Sequence, residues 1–107
     1  MEEFPGSVIA CDENGIILEM NAKAAKGYAD RGGKALIGSN LLDCHSEASR
    51  AKVAQLLETK QLGVYTIEKN GIKKLVYHSP WYQDGKYAGI VELVVEIPFE
   101  MPHFVRK

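Results

Sequence analysis

A chain of 107 residues, 46% hydrophobic and 25% charged, has the size and composition of one soluble domain with a single core. Its formal net charge of −1 leaves no basic excess to neutralise phosphates, which argues against a nucleic-acid partner. No apolar run approaches the ~18 residues of a membrane span and no basic-then-apolar leader is present, so the sequence predicts no membrane partner and a cytoplasmic location.

In chain order, Met1 to Gly6 is a short polar lead. Ser7 to Cys11 reads as a strand, Asp12-Glu13-Asn14-Gly15 as a hairpin turn, and Ile16 to Met20 as the partner strand. Asn21 suits a helix N-cap because its side chain accepts from the free amides of a first turn. Ala22 to Tyr28 then forms a short helix with Ala24, Ala25 and Tyr28 as its buried stripe. Asp30 to Gly33 breaks it. Lys34 to Cys44 reads as irregular, with one or two single helical turns. Ser46 caps a clearer helix from Glu47 to about Lys60, with Val53, Leu56 and Leu57 inward and Arg50, Lys52, Gln55 and Glu58 in water. Val64 to Lys69 alternates as a strand, and Asn70-Gly71 turns the chain into Ile72 to Tyr82. Gln83-Asp84-Gly85-Lys86 closes a last hairpin with Tyr87 to Pro98.

The last strand sets the expected faces. Val91, Leu93, Val95 and Ile97 form an all-apolar set, predicted to lie on the core; Ile90, Glu92, Val94 and Glu96 form a mixed set, predicted to be half wet. In the preceding strand Leu75, Tyr77 and Ser79 share one face, and Val76 and His78 the other. Pro80 cannot donate to a ladder, which predicts a bulge or an edge there. Cys11 and Cys44 are the only cysteines, without a Cys-x-x-Cys, and read as reduced, partly buried thiols.

The ordered set of pieces resembles the PAS family: Asp12 to Gly15, Asn21, Ala24 to Tyr28, Leu36 to Gly38, Gln83 to Gly85, Gly89 and Glu96-Ile97, over about residues 5 to 98. No single motif is specific; their order is. The resemblance implies an α+β fold in one domain, with a five-stranded antiparallel sheet of order 2-1-5-4-3 and the helices on one face. It also implies a sensory or interaction role without catalysis. Such domains hold a small molecule between helices and sheet, pair with a second copy through the outer sheet face, or both, and signal to an output domain or to a partner in trans. Whether this chain stands alone or belongs to a larger protein stays open.

The light-sensing LOV subclass needs a flavin and an adduct-forming cysteine, but Leu41 stands at that position in Gly38-Ser39-Asn40-Leu41, so flavin is disfavoured. Haem-binding relatives take a histidine from the longer helix; His45, just before it, is the one candidate iron ligand, and the cofactor stays undetermined. The adjacent Cys44-His45 pair lacks an orienting third group, and Glu92 with Glu96 reads as a solvated strand face; neither predicts catalysis. A ligand pocket is the preferred reading, with Met20, Tyr28, Leu42, Val53, Leu57, Tyr65, Tyr77, Leu93 and Val95 inward and His45 and Ser79 as polar anchors. The alternative is a filled core and a pure interaction module, with a homodimer through Val76, Trp81, Tyr82, Ile90 and Val94 on the outer sheet face.

Overall fold

The computed structural model describes residues 1–107, the side chains of Cys44 and Ala48 excepted. The expectation of a half-buried thiol at Cys44 therefore lies outside the described residues; Cys11 is fully buried and free. Five strands follow the predicted order: β1 (Ser7–Asp12), β2 (Ile17–Met20), β3 (Gly63–Lys69), β4 (Ile72–Gln83) and β5 (Lys86–Ile97). They form one antiparallel sheet in the order β2-β1-β5-β4-β3. Between β2 and β3 run α1 (Ala22–Gly27), three single helical turns (Ala29–Arg31, Gly33–Leu36 and Leu41–Cys44) and α2 (Glu47–Thr59), all packed on one face. Among the described residues no helix is long and apolar enough to cross a membrane.

Local chemistry accounts for the boundaries. The Asp12 carboxylate accepts from the amides of Asn14 and Ile16, at 2.9 and 3.0 Å, and so holds the first turn. The two later hairpins turn on Asn70-Gly71 and Asp84-Gly85, each pair with two positive φ values, as tight two-residue turns require. Asn21 does more than cap α1. Its Oδ1 accepts from Ala24 N and Val8 N, and its Nδ2 donates to Met1 O and Gly6 O, so this buried amide ties the amino-terminal lead, β1 and α1 together. Ser46 caps α2 by accepting from Ser49 N.

Pro80 sits where β4 runs past the end of β3, whose last pair is Gly63 with His78, so its missing N–H breaks no ladder. A bulge follows between Trp81 and Tyr82: Trp81 pairs with Gly89 and Tyr82 with Tyr87, which leaves Ala88 as the extra residue. Gly89 has φ +148°, and a Cβ there would lie 1.9 Å from Cys11 O. Only glycine allows β1 and β5 to approach so closely. Trp81 Nε1 donates to the same Cys11 carbonyl at 2.9 Å.

The core is one cluster of Ile9, Cys11, Ile17, Met20, Ala24, Leu41, Val53, Leu56 and Ile90 between sheet and helices. Its composition reverses the predicted faces of β4 and β5. Ile90, Val76, His78 and Glu92 are buried under the helices, at 2 to 5% exposure, and Val94 lines the helix-side cleft. Val91, Leu93, Val95, Leu75, Tyr77 and Ser79 point to the other side; the pairs Tyr77–Leu93, Ser79–Val91 and Leu75–Val95 place them on one face. The inward Glu92 is tolerated because two histidines neutralise it, a compensation that apolar patterning does not register.

Candidate functional site

A cleft of about 610 Å³ opens between α1 and the helix-facing side of β3, β4 and β5. Lys23, Lys26 and Tyr28 form the α1 wall; Ile67, Lys69 and Lys74 form the opposite wall; Glu92, Val94 and Glu96 make the floor. Pro5 and Ser7 close one end. The alternation of β5 delivers Glu92, Val94 and Glu96 side by side, and the short, alanine-rich α1 keeps the helix close to them.

The chemistry at the floor is a buried His–Glu–His arrangement. Glu92 Oε2 meets His78 Nε2 at 2.7 Å and His45 Nε2 at 3.3 Å. His78 stands opposite Glu92 in the β4–β5 ladder, whereas His45 arrives from the segment before α2. His45 Nδ1 donates to Leu41 O at 2.9 Å, because a carbonyl only accepts. Its Nε2 is then attractive toward Glu92 only with a second proton, so this geometry holds His45 as imidazolium against the carboxylate. Burial alone would push Glu92 up; the hydrogen bonds and charges of His45 and His78 win and hold it at about 2. His78 Nδ1 is buried and has no hydrogen-bond partner among the described residues. Two tyrosines flank the group: Tyr28 lies 6.2 Å from His45 and Tyr65 lies 6.0 Å from His78, ring to ring. Burial and the charge of Glu92 both raise the Tyr65 hydroxyl. Lys52 of α2 covers the Tyr65 ring at 3.9 Å.

Of the sequence-predicted pocket residues, Tyr28 lines the cleft and His45 contacts its floor through Glu92. Tyr65 stands beside His78. Met20 and Val53 fill the core, with Leu42 and Leu57 packed against it. Tyr77, Ser79, Leu93 and Val95 belong to the opposite side of the sheet and are removed from the pocket. The expected dimer face is corrected likewise: Val76 and Ile90 are buried on the helix side and Val94 lines the cleft. Trp81 remains on the outer face, beside Ala10, Leu18 and Val91, and Tyr82 is 60% exposed next to the bulge.

Sequence reasoning assigned Glu92 to a solvated face and gave His78 no role. The available signal was a single carboxylate amid β-branched residues, with one histidine on the same face of the neighbouring strand as an apolar valine. The one candidate iron ligand of the sequence, His45, does not fit haem as it is placed. His45 offers no spare nitrogen for iron, since one holds Leu41 O and the other faces Glu92. Among the described residues no group of three or more His, Cys, Asp or Glu side chains is arranged to hold a metal ion.

Comparison with known proteins agrees with this architecture. Solved structures with a similar fold include a C-terminal domain from Streptococcus mutans, with TM-score 0.70 and 16% identity over 89% of this chain and 78% of that one. The PAS domain of BvgS from Bordetella pertussis gives TM-score 0.69 and 14% identity over 91% and 80%. The PAS domain of the histidine kinase ThkA gives 0.67 and 19% over 83% and 97%. At these identities the likeness establishes the fold alone. No curated protein matches the sequence significantly. The sequence matches the PAS fold family over residues 1–96, nearly its whole length, and the chain belongs to the PAS family.

Proposed function

We propose that this domain is a non-catalytic, cytoplasmic sensor that takes a small molecule in the cleft between α1 and the sheet and passes the change to a signalling partner. The observation that carries this reading is the His45–Glu92–His78 group under the cleft. A buried ion pair of this kind gives weak net stability compared with an apolar core, so a filled, purely structural interior has little use for it. It also joins β5, β4 and the segment before α2, so a ligand bound above Glu92 acts on three parts of the fold at once. The cleft volume lies in the range of small-molecule sites.

A second reading, a module for pairing with another copy, is favoured by the outer sheet face. Val8, Ala10, Leu75, Tyr77, Val91, Leu93 and Val95 lie there, on the side opposite the helix-packed core. The two readings are compatible if ligand binding shifts the geometry of a homodimer.

Native mass spectrometry of freshly purified protein, paired with thermal unfolding against a metabolite library, tests the sensor. A bound adduct or a raised melting temperature is expected, because a ligand that binds only the folded state must stabilise it. If no adduct appears and no compound stabilises the fold, the sensor reading fails and the interaction module remains.

A further inference from the structure

Four lysines line the cleft, Lys23 and Lys26 on the α1 wall and Lys69 and Lys74 on the sheet wall. Among the described residues none of them makes an ion pair with a protein carboxylate, whereas Lys34 pairs with Glu2 and two histidines pair with Glu92. Lys74 stands opposite Glu96 in the ladder, yet among the described residues their charged ends form no ion pair. Glu92 is paired with His45 and His78, so among the described lining residues Glu96 is the carboxylate without an ion pair, against four lysines. This excess occurs in a chain whose formal net charge is −1. Like charges on two walls of one cleft repel each other, and an anion placed between them converts that repulsion into attraction.

We propose that the cleft binds a small dianion, either two carboxylates or one doubly charged phosphate, held between the lysines of α1 and those of the sheet, with a hydroxyl or amine donating to Glu92. The inference rests on the sensor reading and names its ligand class. The donor requirement follows from the floor. Glu92, held ionised by the two histidines, can only accept. Anionic groups contacting both walls hold α1 to β3 and β4, so occupancy stiffens the contact between helix and sheet.

The test uses the whole chain and four probes: malate, succinate, glycerol 3-phosphate and inorganic phosphate, with glycerol as the uncharged control. Thermal unfolding and titration calorimetry are read at low and at physiological salt. Malate or glycerol 3-phosphate is expected to raise the melting temperature, and succinate, which lacks the hydroxyl, to bind at least several-fold more weakly than malate. A response to malate alone assigns carboxylates, and a response to glycerol 3-phosphate alone assigns phosphate. In the double variant Lys23→Gln/Lys74→Gln the affinity is expected to fall at least tenfold, while Lys34→Gln, outside the cleft, leaves it unchanged. These are substitutions on the cleft rim, and circular dichroism verifies that the fold is kept. The proposal is overturned if no anion stabilises beyond matched sodium chloride, or if stabilisation is equal in the double variant. A neutral or cationic adduct in native mass spectrometry also sinks it, yet leaves the sensor reading standing. Only the absence of every ligand removes both.

Discussion

The helix-facing side of the sheet carries Lys74, His78, Glu92 and Glu96 among its side chains, whereas the open side of the same two strands carries Leu75, Tyr77, Val91, Leu93 and Val95. The usual arrangement of a half-buried sheet puts the apolar set inward and the polar set in water. Here the set on the side away from the helices is the more apolar one, and Val64 and Tyr77 stay 47% and 37% exposed. An apolar face of this kind marks a contact with something outside the domain. A polar group buried at some cost in desolvation marks a site. On the proposed reading the contrast separates two tasks, ligand contact inside and partner contact outside, joined by strands only one residue thick.

The largest effect is expected from breaking the inner side at one member. Glu92→Ala leaves the imidazolium of His45 and the ring of His78 buried without their acceptor, and such a loss costs roughly 3–5 kcal/mol. Urea unfolding measures it; a loss below about 1 kcal/mol would mean that water already solvates the group. Replacing the whole group tests the comparison differently. His45→Leu/His78→Leu/Glu92→Met gives the inner side the chemistry of the outer one, and the expected stability is equal to wild type or higher, by ~1–4 kcal/mol at most. The acid limb discriminates the two proteins. Glu92 is held at about 2 in the fold against an ordinary 4.5, so its contribution is present above pH 4.5 and is lost as the pH falls toward 2. Wild type should lose stability over that window, and the triple variant should lose much less. Parallel acid limbs would show that Glu92 is not the group responsible.

The outer side responds in the opposite way. Leu93→Glu places a charge on the open face, next to Tyr77 and away from the core cluster. It is expected to weaken a homodimer at least 100-fold, which is about 2.7 kcal/mol, while changing monomer stability by less than ~1 kcal/mol. Sedimentation at micromolar concentration reads the first and urea unfolding the second. Val94→Glu is the internal contrast: Val94 lines the cleft, so this variant should disturb ligand binding and leave the dimer intact. A chain that is monomeric with or without Leu93→Glu removes the pairing role.

How far the sequence spoke can be followed along β4 and β5. The hairpin, the alternation and the sharing of faces by Leu75, Tyr77 and Ser79 were legible, because turn chemistry and a period of two are local. The side on which each set lies was not. Apolarity alone chose the wrong one, since the inner face carries a carboxylate that is buried against two histidines and that patterning scores as solvated. The partner of His78 was hidden for a second reason. Counting back from Asp84-Gly85 in a regular hairpin sets His78 opposite Val91, and the extra residue Ala88 moves it to Glu92. Pro80 had signalled a bulge or an edge, but not that the inserted residue lies across the hairpin beside Gly89, whose need for φ +148° becomes apparent once Cys11 O is found against it. His45 and Glu92, 47 residues apart, meet through tertiary packing that no local pattern encodes. The caps at Asn21 and Ser46, by contrast, were readable from residue type and position.

The smallest effect concerns the edge of the polar side, where α2 reaches the sheet. Lys52 is solvent-exposed, yet its ammonium lies over the Tyr65 ring at 3.9 Å, and Tyr65 in turn stands beside His78. An exposed cation–π contact contributes about 0.5–1 kcal/mol. Lys52→Met keeps the apolar stem over the ring and removes the charge, so its loss should approach that figure; Lys52→Arg should retain most of it. The surface pair Lys34–Glu2 supplies the reference, because an exposed ion pair with no ring beneath it contributes about 0.2–1 kcal/mol and fades with salt. If Lys52→Met costs no more than Lys34→Ala at low salt and both costs vanish together at 1 M salt, Lys52 is one more solvated charge. If its cost survives salt, Tyr65 is clamped from both sides, and α2 is coupled to the sheet through the same row of rings that ends on Glu92.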